Sequence, residues 1–104
     1  MKVLFVCNFG QNRSATARDL WQEAHPKDEA KALGILWHSE TETRIASKWA
    51  DIIFVMEPHQ ENKMQEFAKD KKIVNLDIEN YYPYGSDELK QLIIKKLKNA
   101  GYNI

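Results

Sequence analysis

Residues 3–14 read VLFVCNFGQNRS: an apolar stretch, then a short polar loop, then Arg13 and Ser14. Residues 3–6 are typical of a buried strand, and the apolar residues beyond Arg13 recur at helical spacing. The carboxyl end of a strand that faces a helix N-terminus is a place where anions bind and thiolates are stabilised. This order of elements predicts an α/β fold in which Cys7, the only cysteine, is a nucleophile in an anion-binding loop.

The loop after Cys7 has the residue types that phosphate binding needs. Its backbone N–H groups can form a nest for a tetrahedral oxyanion, and Gly10 can adopt a positive φ at little steric cost. The planar guanidinium of Arg13 can hold two phosphate oxygens, and Ser14 can donate a hydrogen bond to the thiolate. We therefore predict Cys7, Arg13 and Ser14 as catalytic residues. The predicted phosphate-binding residues are Asn8, Phe9, Gly10, Gln11, Asn12 and Arg13.

A plainer interpretation of the same residues is available. A lone cysteine after an apolar strand is most often a small buried hydrophobe, and a serine at the start of a helix is a common cap. What favours the functional interpretation is the position of the Cys-x5-Arg-Ser pattern, directly after an N-terminal strand and before a helix.

The remaining pattern alternates strands with helices along the chain. Strands are predicted at residues 2–6, within 33–38, at 52–56 and at 73–76, and helices follow each of them. Such alternation is typical of a parallel sheet. We expect an α/β fold with a small, doubly wound, four-stranded parallel sheet in the order 2-1-3-4, helices on both faces, and Cys7 at the switch point. Residues 1–104 are expected to form a single domain.

Local signals predict where the helices begin and which residues face the core. Ser39 and Glu42 form a capping-box pattern, Pro58 suits a first turn, and Ser86 precedes two acidic residues. The apolar residues expected to point inward are Ala17, Leu20, Trp21, Ala24, Ile45, Trp49, Met64, Phe67, Leu89, Leu92, Ile93 and Leu97. Trp37 is also expected in the core, together with the other two tryptophans.

Composition narrows the function classes. The chain has 15 basic and 15 acidic residues, so no net charge favours nucleic acid or an acidic membrane. A single cysteine forms no internal disulfide, which is consistent with a reducing cytoplasm, and residues 1–13 lack the apolar core of a signal peptide. Three scattered histidines and one cysteine do not predict a metal site.

The chain resembles the low-molecular-weight protein tyrosine phosphatases, and is closest to a compact subgroup of them. The N-terminal strand with Cys-x5-Arg-Ser is their hallmark, residues 50–57 (ADIIFVME) are similar to their third strand, and residues 78–85 are loosely similar to their Asp-Pro-Tyr-Tyr-Gly loop. The resemblance implies a protein tyrosine phosphatase that forms a phosphocysteine without any cofactor. It also implies that Tyr82 stacks on the substrate's phenyl ring.

The sequence departs from that family at several positions. Gly10 lies three residues after Cys7 rather than two, Asn12 replaces a second loop cysteine, and residues 39–51 leave little room for the usual substrate-wall loop. Asn80 occupies the position of the family's aspartic general acid, and an amide cannot deliver a proton. Asp77 and Glu79 are the nearby candidates for that role, with Asp77 preferred.

Three other functions stay open. A phosphocarrier of a bacterial sugar phosphotransferase system has a similar length and cysteine, but has no need of Arg13. A thiol-relay arsenate reductase uses additional cysteines, which this chain lacks. The third is a catalytically weak module that binds phosphate or phosphotyrosine, and Asn80 is the main support for it. For the phosphatase, the expected partner is a phosphotyrosine protein or a small phosphomonoester, and phosphate- or sulfate-type anions are expected to bind in the loop.

Overall fold

The computed structural model describes all of residues 1–104. It contains four strands and four helices, which alternate strictly along the chain. The strands are β1 (Lys2–Cys7), β2 (Glu29–Gly34), β3 (Ile52–Val55) and β4 (Lys72–Asn75). The helices are α1 (Arg13–Ala24), α2 (Glu40–Trp49), α3 (Pro58–Ala68) and α4 (Asp87–Asn99). No helix is both long enough and apolar enough to cross a membrane.

The four strands form one parallel sheet in the order β2-β1-β3-β4, as the sequence predicts. In the register, Val3 of β1 lies opposite Ala30 of β2 and Ile52 of β3. The central strands β1 and β3 are apolar on both faces because helices cover both sides of the sheet.

A separate apolar core lies on each face of the sheet. Alternate residues of a strand point to opposite faces, so Phe5 and Leu4 of β1 belong to different cores. The larger core joins the sheet to α1 and α4 through Trp21, Leu89, Ile93 and Leu97. The smaller core joins it to α3 through Met64 and Ala68. Helices on both faces are thereby confirmed.

The second strand was predicted wrongly. It runs from Glu29 to Gly34, whereas residues 35–38 form a turn in which the N–H groups of Trp37 and His38 donate to the Gly34 carbonyl. β2 is an edge strand that contains two alanines and is partly exposed, so it lacks the continuous apolar run that identifies β1 and β3. The apolar residues of 33–37 belong mostly to the turn.

Three predicted core residues, Ala24, Trp37 and Ile45, lie on the surface instead. The side chains of Trp37 and Ile45 are 66% and 64% exposed. Helix α2 turns a hydroxyl-bearing face inward: Thr43 and Ser47 are buried, and each hydroxyl donates to a backbone carbonyl one turn earlier. Because these hydroxyls are satisfied within the helix, they can be buried at little cost. Trp49, Phe67, Leu20 and Leu92 are half-buried, Ala24 is exposed, and the other inward predictions are confirmed.

Candidate active site

Cys7 is the last residue of β1, and residues 8–12 curl from it into the start of α1. Its sulfur is buried and has two polar neighbours: the Ser14 hydroxyl at 3.0 Å and the Gly10 N–H, which donates over 3.2 Å. Gly10 has φ +73°, the conformation predicted from the sequence. Between the sulfur and the Ser14 hydroxyl either atom can donate, and a Cys7 thiolate would accept from both neighbours.

The N-terminus of α1 is left open. Its N-cap Asn12 makes no side-chain cap and its first turn has no acidic residue. By contrast, the first turns of α2, α3 and α4 all contain acidic residues. Uncapped N–H groups and the positive end of the helix dipole therefore face the loop without a carboxylate to neutralise them, which favours an anion there.

Arg13 is held rigidly and retains a free donor. Its side chain is 1% exposed, and Nη1 donates to Glu57 Oε2 and to the Ile78 carbonyl, each over 2.7 Å. The buried Nε has no partner in the protein. An unsatisfied buried N–H costs on the order of 1–3 kcal/mol, so a ligand oxygen at this position would remove that cost.

A second set of side chains ties the loop to α3. Gln60 is fully buried: its Oε1 accepts from the N–H groups of Met56 and Glu57, and its Nε2 donates to Asn8 Oδ1 over 3.1 Å. His59 Nε2 donates to the same Asn8 oxygen over 2.7 Å. The Asn8 side-chain carbonyl is therefore directed at α3.

Sequence reasoning did not identify Glu57, His59 and Gln60 as part of the site. The sequence did contain a signal for Glu57. This residue follows a buried strand and lies at the sheet edge where β1 ends, and the same kind of position indicated Asp77. Arg13, the partner of Glu57, lies 44 positions away, and no local pattern connects the two residues.

The segment after β4 reaches the site through its backbone. The Ile78 carbonyl accepts from Arg13, and the Ile78 N–H donates to the Met56 carbonyl. Asp77 and Glu79, on either side of Ile78, are exposed, and neither carboxylate hydrogen-bonds to a loop residue. Asp77 has φ +54°, the left-handed conformation that non-glycine residues seldom adopt.

The three tyrosines of this segment lie in different environments. Tyr81 is 78% exposed, whereas Tyr82 is half-buried against the larger core and meets the Tyr81 ring edge-on at 5.2 Å. Tyr84 donates from its hydroxyl to Asp19 of α1, and this bond raises the pKa of the Tyr84 phenol. Partial burial alone would raise the pKa of Asp19, but hydrogen bonds from Arg18 and Tyr84 lower it overall.

The structure contains no group of three or more His, Cys, Asp or Glu residues arranged to hold a metal ion.

No protein-family model matches the chain, and no curated protein matches its sequence. Solved structures do match. YwlE arginine phosphatase from Geobacillus stearothermophilus is 20% identical with a TM-score of 0.62, over 95% of this chain and 91% of that one. The tyrosine phosphatase Wzb from Escherichia coli K30, solved with phosphate, is 17% identical with a TM-score of 0.65, over 95% and 94%.

YfkJ from Bacillus subtilis is also 17% identical with a TM-score of 0.65, over 98% of this chain and 97% of that one. Wzb has been solved with sulphate as well. The chain thus has the fold of the low-molecular-weight protein tyrosine phosphatases over nearly its whole length, as the resemblance of its motifs implied.

Proposed function

We propose that the chain is a cysteine-dependent phosphomonoester hydrolase of the low-molecular-weight protein tyrosine phosphatase family. One observation carries the proposal: the buried Cys7 sulfur with its two polar neighbours lies in the loop that runs into Arg13, whose Nε is buried and free. A nucleophile beside donors that can hold an oxyanion is the arrangement that phosphoryl transfer to sulfur requires.

In the proposed reaction, the phosphate occupies the loop, held by the backbone N–H groups of residues 8–12 and by Arg13. The Cys7 thiolate attacks phosphorus, so that an S–P bond forms while the bond to the leaving oxygen breaks. Arg13 and the amides stabilise the charge on the equatorial oxygens. A proton passes to the leaving phenolate, and water then cleaves the S–P bond to release inorganic phosphate. Ser14 stabilises the thiolate as it leaves.

Phosphotyrosine is the substrate that we propose. Two exposed aromatic side chains, Phe9 in the loop and Tyr81 three residues after Ile78, suit an aryl group, and the half-buried Tyr82 is proposed to stack on it. YwlE is an arginine phosphatase and Wzb a tyrosine phosphatase, so the shared fold leaves open whether phosphotyrosine or phosphoarginine is the substrate. We also propose a cytoplasmic location. No cofactor, nucleic-acid partner or membrane partner is part of the proposal.

The decisive experiment is hydrolysis of p-nitrophenyl phosphate at about pH 5 to 8 in the presence of a metal chelator, with wild type and Cys7→Ser compared. We expect turnover by wild type and its complete loss in Cys7→Ser, while vanadate still binds. Turnover that survives the substitution would contradict the proposal, because the nucleophile would then be another group.

For the general acid we propose Asp77 rather than Glu79. The left-handed backbone at Asp77 supports this, because such conformations tend to persist where function requires them. Asp77→Asn should reduce turnover of an alkyl phosphate by about 10²–10⁴, yet change p-nitrophenyl phosphate turnover little, because its leaving group needs no proton. Glu79→Gln is the matched control, and a larger loss there would transfer the role to Glu79.

A binding module without turnover is the second candidate. Asn80 replaces the expected aspartate, and the carboxylates of Asp77 and Glu79 make no hydrogen bond to the loop. Vanadate binding by a wild-type protein that hydrolyses neither an aryl nor an alkyl phosphate would favour this candidate. The phosphocarrier is less well supported, because Arg13 is anchored for phosphate binding by Glu57 and Ile78.

A further inference from the structure

Acidic side chains are concentrated on one side of the candidate site. Residues 77–88 read DIENYYPYGSDE, with four acidic residues, three tyrosines and no lysine or arginine. We call the four exposed carboxylates the acidic rim: Asp77, Glu79, Asp87 and Glu88. Helix capping accounts for acidic residues at the start of α4, but not for the pair beside Ile78.

Hydrogen bonds attach the rim segment to the site near both of its ends. The Ile78 carbonyl, between Asp77 and Glu79, accepts from Arg13 over 2.7 Å. The Gly85 N–H donates to Thr16 Oγ1 over 3.0 Å, and Thr16 Oγ1 in turn donates to the Asn12 carbonyl over 2.7 Å. The rim is therefore fixed beside the first turn of α1, where the phosphate would bind.

The positive charges lie mostly at the opposite edge of the sheet. Strands of a parallel sheet begin at one edge, and helices that return to it end there. Exposed lysines accordingly gather at strand starts and helix ends: Lys2, Lys48, Lys69, Lys72 and Lys98. Nearer the site, Arg18 and Arg44 each pair with a neighbouring carboxylate, and Lys90 is an exposed cation on α4. Glu29, Asp51 and Asp70 also lie at that opposite edge, so the net charge of zero conceals a partial separation of charge.

Apolar side chains border the loop as well. Phe9 belongs to the loop itself, and the Leu36 N–H donates to the Asn8 carbonyl over 2.8 Å, which fixes the β2–α2 turn beside it. The side chains of Phe9, Leu36 and Trp37 are exposed. A bound segment would therefore meet apolar side chains as well as carboxylates around the anion site.

We propose that the site accepts its phosphate on a protein segment that has basic residues next to the phosphorylated tyrosine; this rests on the proposed function. The phosphate itself is matched by the free Nε of Arg13 and the open end of α1. Beyond the phosphate, the substrate meets the acidic rim, which attracts lysine or arginine and repels acidic side chains or further phosphates. Apolar side chains in the same segment would cover Phe9 and Trp37.

The test uses three phosphotyrosine peptides of equal length whose flanking residues are basic, neutral or acidic. We expect kcat/KM to be about fivefold higher for the basic than for the neutral peptide, and lowest for the acidic one, because exposed ion pairs contribute only modestly. The preference should shrink as salt is added. Equal rates, or a preference for the acidic peptide, would overturn the inference.

p-Nitrophenyl phosphate, measured alongside, separates this inference from the proposed function. If it is hydrolysed and the peptides show no ranking by charge, the function stands and the inference fails. If nothing is hydrolysed, the proposed function fails, and the affinities of the same peptides for Cys7→Ser are measured instead. Tighter binding of the basic peptide would then support the inference, and any other ranking would overturn it.

A pair of double variants locates the effect. Asp87→Asn/Glu88→Gln removes two rim charges, and Glu29→Gln/Asp70→Asn removes two exposed charges at the opposite edge, with the same change in net charge. We expect the rim variant to lose at least half of the preference for the basic peptide and the control to keep it. Equal loss in both would mean that net charge, rather than the rim, sets the preference, and would overturn the inference.

Discussion

Arg13 illustrates at the residue scale how a buried charge becomes usable for binding. An isolated charge in the protein interior is very costly, and a paired one is tolerated only when the geometry is good. Here one carboxylate and one carbonyl satisfy Nη1, and Nε is left over. Glu57 therefore both offsets the cost of burying Arg13 and holds its free donor in position.

Removal of Glu57 should affect binding and stability together. Glu57→Ala leaves the guanidinium without its counter-charge, so we expect at least tenfold weaker inhibition by vanadate and a loss of about 1–3 kcal/mol in the free energy of unfolding. Glu61→Ala, one turn further along α3, is the control and should change neither property. Unchanged vanadate inhibition in Glu57→Ala would show that Arg13 needs no carboxylate to hold its position.

At the scale of elements, the end of β2 shapes the loop that follows β1. A Cβ atom placed on Gly34 would lie 2.1 Å from the Phe9 carbonyl carbon and 2.6 Å from the Gly10 nitrogen. The N–H groups of Ile35 and Leu36 also donate to the carbonyls of Cys7 and Asn8. The two backbones are thus in direct contact, and the edge strand supports the loop of residues 8–12.

Gly34→Ala should consequently disturb the loop. We expect a stability loss of about 1–3 kcal/mol from overpacking, together with at least a tenfold fall in kcat/KM for p-nitrophenyl phosphate. Gly101→Ala provides the comparison: its added methyl meets open space, but its φ of +97° makes the change strained. The control should lose stability and keep activity, so full activity in Gly34→Ala would refute a supporting role for β2.

The sequence predicts elements well where the local signal is strong. Ser39 with Glu42 and Ser86 identify the starts of α2 and α4 correctly, because capping depends on residues three positions apart. It fails for β2, since a half-exposed edge strand lacks a continuous apolar run. The prediction that Ile45 points inward is wrong for a related reason. The spacing of apolar residues identifies a helix, but packing against α3 and the sheet decides which face of that helix is buried.

At the scale of the whole molecule, stability depends on two cores that share one sheet. Helix α4 closes the larger core, to which it contributes three fully buried side chains, Leu89, Ile93 and Leu97. Since α4 is also continuous with the segment that reaches Arg13 through Ile78, loss of α4 packing would release one partner of the site.

Two adjacent isoleucines of α4 provide a direct measurement. Ile93 is fully buried and Ile94 is partly exposed. Ile93→Ala should lower the free energy of unfolding by about 2–5 kcal/mol, as large-to-small changes in a core do, and Ile94→Ala by much less. Urea denaturation measures both; similar losses would mean that α4 is not seated on the larger core as described.

The sequence by itself determined the strand–loop–helix order around Cys7, the alternation of strands and helices, and the helix caps. All of these depend on residues close together in the chain, so local spacing and composition are sufficient to predict them. Only the tertiary structure decided that Glu57 and Ile78 hold Arg13, that Gly34 supports the loop, and that the acidic rim lies beside the anion site. Those contacts join residues 44, 65 and about 25 positions apart, and packing of whole elements, rather than any local pattern, brings such residues together.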